Sequence, residues 1–164
     1  MKNRSLMPLL VSVVLVCLAL AADQKPKNSA LIEKEFAAWN AHDPDKVASF
    51  YTDDVVYEDV AYGMTAHGHA EMRKLAADFF AAVPDLKLEP VNSFVENGHG
   101  SVEWVFSGTD AGLYKTGKKF SVRGASLFEV RDGKFLRNKD FYDSATIMRQ
   151  VGALPEAKPA GSSQ

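Results

Sequence analysis

The hydrophobic period of this chain changes near Pro84, and that change decides the class of fold. Before it, large apolar residues recur at spacings of three and four: Ile32, Phe36 and Trp39, then Met72, Leu75, Ala76, Phe79, Phe80 and Val83. Such stripes belong to amphipathic helices. From Leu86 onward apolar and polar residues alternate, the period of strands with one buried face. Helices first and a meander of strands afterwards predict an α+β domain: three N-terminal helices packed in one curved antiparallel sheet that encloses an apolar pocket.

Local signals place the elements. Asn28 or Ser29 can cap a first helix through Trp39, and Asp43 followed by Pro44 starts a short second helix through Val47 and Phe50. Thr52-Asp53-Asp54 reads as a turn into a brief strand, Val55 to Tyr57, and a third helix spans about His69 to Val83, ended by Pro84-Asp85. Four long strands follow, Leu86 to Glu96, Ser101 to Thr109, Phe120 to Arg131 and Lys134 to Tyr142, with turns at Asn97-Gly98 and Asp132-Gly133. Ser144 to Val151 reads as a short closing helix.

The ends carry a different message. Lys2 and Arg4 precede a mostly apolar run from Leu6 to Leu20 that stops at Ala21-Ala22-Asp23, the pattern of a secretory signal peptide with cleavage expected after Ala21. Pro8 and Ser12 interrupt the run, which is short for a membrane span. The expected organisation is a signal peptide over 1–21, a short linker over 22–28, the domain over 29–154 and a disordered tail over 155–164, in a protein exported to the periplasm or secreted. Cys17, the single cysteine, would leave with the leader, so no disulfide, thiolate nucleophile or cysteine-based zinc site is expected. Without Lys2 and Arg4 the 19 basic residues fall to 17 against 21 acidic ones, a formal charge of −4 that disfavours nucleic acid as a partner.

Strand alternation assigns the pocket. Val102, Trp104 and Phe106 share one face of their strand, and Val122, Gly124, Ser126, Phe128 and Val130 share one face of the next. The last strand is ambiguous, because Leu136, Asn138, Asp140 and Tyr142 oppose Phe135, Arg137, Lys139 and Phe141. A two-residue Asp132-Gly133 hairpin would aim Arg137 and Lys139 into an apolar cavity, which is costly for unpaired cations. A three-residue loop, Arg131-Asp132-Gly133, instead pairs Val130 with Lys134, Phe128 with Leu136, Ser126 with Asn138 and Gly124 with Asp140. That register is the expectation, and it turns Ser126, Asn138, Asp140 and the Tyr142 hydroxyl inward amid Trp104, Phe106 and Phe128.

Phe120-Ser121, Asp132-Gly133-Lys134, Asp140, Asp143 and Arg149-Gln150-Val151-Gly152 together resemble the C-terminal half of the SnoaL-like polyketide cyclases. These belong to the nuclear transport factor 2-like superfamily, with ketosteroid isomerase and scytalone dehydratase, and the resemblance runs from about Ala30 to Pro155. It implies a cone-shaped fold and, at Asp140, the general acid/base of an intramolecular aldol ring closure. Where the cyclases carry a histidine and, two residues earlier, a glutamine, this chain has Ser126 and Gly124. Tyr51-Thr52-Asp53-Asp54 through Glu58-Asp59 is similar to the segment of ketosteroid isomerase that holds its base, which falls on Asp59. Its oxyanion-hole tyrosine falls near Glu35 or Phe36 and its protonated aspartate near Ser126.

The candidate catalytic residues are therefore Asp140 and Asp59. The candidate substrate-binding residues are Trp104, Phe106, Ser126, Phe128, Asn138, Tyr142, Tyr57 and Trp39, around a small hydrophobic molecule. His67, His69, His42 and His99 have no spacing that forces them onto one ion, and neither a glycine-rich phosphate loop nor a Ser-His-Asp order is visible, so no metal and no cofactor is expected. Three functions remain open at this point: a cofactor-independent lyase, isomerase or cyclase; a non-catalytic ligand-binding protein; and a homodimerisation module using Leu127, Phe135 and Phe141 on the outer sheet face.

Overall fold

The structure, a computed structural model, describes residues 27–154. The expected leader, most of the linker and the tail lie outside the described residues. Helix α1 runs over Lys27–Asn40, so Asn28 and Ser29 fall within its first turn. Amide groups of a first turn have no partner within the helix, and polar residues are tolerated there as well as at the cap itself. Asp43 does cap α2 (Pro44–Ser49), accepting from the Lys46 amide at 2.9 Å.

Strand β1 spans Tyr51–Asp59 and is far longer than expected. Thr52-Asp53-Asp54 is no turn: it is the irregular part of the strand, where the register shifts between Tyr51 and Val56 while Asp53 and Asp54 stay exposed. A short strand that was not anticipated, β2 (Met64–His67), pairs antiparallel with β1. Helix α3 covers Gly68–Ala82, and Met72, Leu75, Ala76 and Phe79 are its buried face. Then come β3 (Lys87–Glu96), β4 (His99–Thr109), β5 (Lys119–Arg131), β6 (Lys134–Tyr142) and α4 (Ser144–Val151).

The six strands form one sheet in the order β2-β1-β6-β5-β4-β3. It is not antiparallel throughout, because β1 pairs parallel with β6. The N-terminal strand enters beside the C-terminal one and runs in the same direction, which is how a helical start is brought into the concave side of a later meander. Trp39 of α1, Phe79 of α3 and Phe106 of β4 meet edge to face there, with ring centroids 6.3 and 6.4 Å apart along the series. The sheet and the helices close around one core that includes all three rings.

The β5–β6 turn departs from the three-residue expectation. Asp132 and Gly133 both have positive φ, 53° and 76°, and Val130 lies opposite Phe135, so this is a two-residue hairpin of the type Asp-Gly favours. The extra residue sits one step further on: Glu129 faces Arg137 and Val130 faces Phe135, which leaves Leu136 as a bulge. The bulge restores the parity that the tight turn would have reversed. Ser126 consequently faces Asp140, Phe128 faces Asn138 and Gly124 faces Tyr142, one pairing step away from the expected partners but on the expected side. Phe135 also moves: it is buried against Phe128 and Tyr51 and is no part of the outer face, where Leu127 and Phe141 remain exposed. Arg137 and Lys139 do point outward and pair with Glu129 and Glu58 at 3.7 and 2.7 Å.

Candidate active site in the cone

The concave side of the sheet and helices α1 and α3 line a narrow cleft that opens to solvent, with about 50 Å³ of space for water-sized molecules. Its wall contains all ten residues singled out above: Asp140, Asp59, Trp104, Phe106, Ser126, Phe128, Asn138, Tyr142, Tyr57 and Trp39. It also contains Glu35, Tyr51 and Phe135, which the sequence reading did not assign to a site.

Asp140 is the hub. Ser126 Oγ and Asn138 Nδ2 each donate to its Oδ1 at 2.6 Å, and the Tyr57 hydroxyl donates to its Oδ2. Trp104 Nε1 donates in turn to Ser126 Oγ at 2.8 Å, so the indole supports Asp140 through the serine. Burial raises the Asp140 pKa to about 6, against the pull of the three hydrogen bonds, and the nearby Asp59 carboxylate adds to the rise. Neither Arg149 nor Lys139 pairs with Asp140. Arg149 reaches Asp143, the cap of α4, at 3.0 Å, and Lys139 reaches Glu58.

Asp59 lies at the end of β1 with 1% of its surface exposed. Its Oδ2 accepts from the Tyr142 hydroxyl at 2.7 Å and its Oδ1 from the Tyr62 amide at 2.9 Å. Burial raises its pKa, and those hydrogen bonds oppose the rise. Burial also keeps the Tyr57 and Tyr142 hydroxyls protonated, helped by the carboxylates they serve, so both act as donors here.

Glu35 is the third carboxyl of the cleft. It is 5% exposed, and both Trp39 Nε1 and the Tyr51 hydroxyl donate to its Oε1, at 2.5 and 2.9 Å. Burial raises its pKa to about 8, outweighing these two donors. A signal for it existed: Glu35 interrupts the stripe of Ile32, Phe36 and Trp39 at a position that faces the core.

Gly124, where the resemblance expects a glutamine, has a steric explanation. Gly124 and Trp104 are direct cross-strand partners, and a Cβ on Gly124 would lie 2.2 to 2.8 Å from three atoms of the indole ring. The Trp104 ring therefore occupies the space that a side chain at 124 would take, and its ring nitrogen supplies the donor that holds Ser126.

A family model described as a SnoaL-like domain matches residues 32–138. The chain belongs to the SnoaL-like domain family. It is 32% identical over 111 residues to Cyclase aurE of Calcarisporium arbuscula, covering 66% of this chain and 82% of that one. Among solved structures it is similar to TsrD from Streptomyces laurentii, with a TM-score of 0.70 and 26% identity over 80% of this chain and 99% of the other. It is also similar to a protein of ketosteroid isomerase-like fold from Catenulispora acidiphila, crystallised with trimethylamine. There the TM-score is 0.71 with 23% identity, covering 79% of this chain and 97% of that one, a likeness of fold. The six-stranded sheet, curved and unclosed, is the fold these neighbours share. Among the described residues no helix is long and apolar enough to cross a membrane, and no group of three His, Cys, Asp or Glu is placed to hold a metal ion.

Proposed function

We propose that this chain is an exported SnoaL-like domain that binds a small hydrophobic molecule in its cone and moves a proton on it without a cofactor. Asp140 is the general acid/base, and Asp59 is a second carboxyl able to take the complementary role. The observation that carries this reading is the setting of Asp140: a carboxyl among aromatic walls, oriented by three donors, with a pKa of about 6, close to a neutral working pH. The similarity to Cyclase aurE supports a ring-closing or related carbon-acid reaction. Export rests on the leader read in residues 1–21.

The test is solvent deuterium exchange into benzoylacetone, a hydrophobic β-diketone, by the wild-type protein and Asp140→Asn. The expected result is acceleration by the wild type and a loss of about 10²- to 10⁴-fold in the variant. Equal rates in the two proteins defeat the assignment of Asp140. A non-catalytic binding protein is the second reading, and the replacement of the cyclase histidine by Ser126 favours it. It predicts benzoylacetone binding that survives Asp140→Asn, with exchange no faster than in buffer for either protein.

A further inference from the structure

We propose that Glu35 is a neutral carboxylic acid whose Oε2–H group is the cleft's hydrogen-bond donor to a ligand carbonyl oxygen, which makes the ligand class an enolisable ketone or diketone. The inference rests on the reading of the cleft as a ligand site and adds a second group of that cleft that would hold the substrate oxygen.

The geometry of the two donors locates the proton. Indole nitrogen can only donate, so Trp39 Nε1 at 2.5 Å marks Oε1 as an acceptor. The Tyr51 hydroxyl donates to the same atom at 2.9 Å. In the neutral acid the oxygen that accepts both bonds is the carbonyl oxygen, Oε1, which leaves Oε2 to carry the proton. No hydrogen bond is directed to Oε2, on a side chain that lines the cleft.

The charge environment agrees. The ion pairs of the described residues lie elsewhere, on the protein surface, and none includes Glu35. The ionisable groups that face Glu35 are Tyr51 of β1 and Asp140 of β6, and neither can supply a positive charge. A carboxylate there would be buried without a cation and near a second carboxylate, so the neutral form is favoured. A neutral acid donates to an oxygen on which negative charge grows, which is what a carbonyl becomes when a neighbouring carbon loses its proton to Asp140. In that step the C–H bond breaks, its proton goes to Asp140 Oδ, and the electron pair moves onto the oxygen held by Glu35. Return of the proton to carbon closes the cycle, so no oxidant or reductant is required.

Glu35→Gln separates a donor from a base. The glutamine carbonyl can accept from Trp39 and Tyr51 while its amide keeps a donor at the Oε2 position, whereas Glu35→Met removes the donor at similar volume. The first measurement is the infrared difference between wild type and Glu35→Gln at neutral pH without ligand, which isolates Glu35 from Asp140. The expected result is loss of a protonated-carboxyl carbonyl stretch, and loss of carboxylate bands alone would overturn the proposal.

The second measurement is benzoylacetone binding, by quenching of tryptophan fluorescence, in an Asp140→Asn background where no base is present. Gln at position 35 should preserve affinity within about threefold, and Met should weaken it about tenfold, the value of one hydrogen bond to the ligand carbonyl. Equal affinities for Glu, Gln and Met overturn the donor role, and so does the absence of binding in the parent. Because the infrared band reports on Glu35 alone and the exchange assay on Asp140, failure of either assignment is seen separately.

Discussion

Asp59 and Asp140 lie opposite one another across the parallel β1–β6 pair, and each is held by a tyrosine from the other's strand. Tyr57 of β1 donates to Asp140, and Tyr142 of β6 donates to Asp59 at 2.7 Å. Tyr57 precedes Asp59 by two residues and Tyr142 follows Asp140 by two, so all four side chains fall on the inner face by strand alternation. The arrangement brings two carboxyls into one cleft and gives each a fixed donor.

The first prediction concerns that donor. A hydrogen bond to the ionised form of an acid lowers its pKa, and the Tyr57 hydroxyl is one of three such bonds restraining the rise at Asp140. Tyr57→Phe should therefore move the Asp140 titration upward from about 6, by about 1 to 2 pH units. Carboxyl carbon NMR titration of the two proteins measures this directly. A downward or absent shift would mean that the tyrosine does not stabilise the carboxylate.

Stability should depend on pH in a definite sense. Glu35 and Asp140 have folded pKa values of about 8 and about 6, against ordinary values of 4.5 and 3.8. Above its ordinary value each group has lost its proton in the unfolded chain while the folded chain still holds it. Stability is therefore lost as pH rises through that window, by about 1.4 kcal/mol per pH unit for each proton. The buried Asp110 acts in the opposite sense: burial pushes its pKa up, but its hydrogen bonds outweigh burial and hold it low, so its contribution is lost as pH falls. Thermal melts should fall steadily from the ordinary carboxylate range toward pH 8. Asp140→Asn should flatten the part below about 6 and Glu35→Gln the part between about 6 and 8. A wild-type curve that is level across this range counts against both assignments.

Much of the site was legible because parity and desolvation constrain the same residues. Keeping Arg137 and Lys139 out of the cavity requires one extra residue somewhere between Val130 and Asn138, and any such position puts Asn138, Asp140 and Tyr142 inside. The turn chemistry of Asp132-Gly133 and the packing of Phe135 against Phe128 decide that the extra residue is Leu136. Alternation alone does not contain that information. Glu35 was missed for a different reason: a glutamate on a helix reads as solvent-facing, and only the indole four residues later, with Tyr51 from β1, makes the inward position tolerable. Strand β2 is four residues with only Ala66 buried, too short for a period to show. The parallel pairing of β1 with β6 depends on how the chain returns after α3, which no local pattern records.

Asp110 should govern the segment that follows β4. Its side chain is fully buried and accepts from the amides of Tyr114, Lys115 and Thr116 and from the Thr116 hydroxyl, at 2.7 to 3.3 Å. These bonds latch residues 111–118 to the sheet, with Leu113 and Tyr114 packed on the core. Asp110→Ala leaves three amides without their acceptor and should cost about 2 to 4 kcal/mol. Hydrogen exchange should show faster exchange at Tyr114 and Thr116 before any change in the strands. Protection that stays uniform across the domain would show that the loop is held by other contacts.

The last prediction tests why this chain has glycine at 124. Trp104 is 4% exposed, its ring meets Tyr142 with centroids 5.7 Å apart, and its nitrogen holds Ser126 on Asp140. A methyl at 124 would fall within 2.2 to 2.8 Å of the indole, so the ring must move, and moving it breaks the bond to Ser126. Gly124→Ala should destabilise the domain by about 1 to 3 kcal/mol, as overpacking does. With Ser126 loosened, the Asp140 pKa should rise as well, since one of the bonds favouring its ionised form is weakened. A double-mutant cycle isolates the cause. In a Trp104→Phe background the smaller ring leaves room for the methyl, and Gly124→Ala should cost at least about 1 kcal/mol less than in the wild type, the size of coupling expected of side chains in contact. Tryptophan fluorescence of the single variant should shift to longer wavelength as the indole gains solvent. If the two substitutions are additive, the indole is not what excludes a side chain at 124, and the support it gives Asp140 through Ser126 would not depend on the glycine.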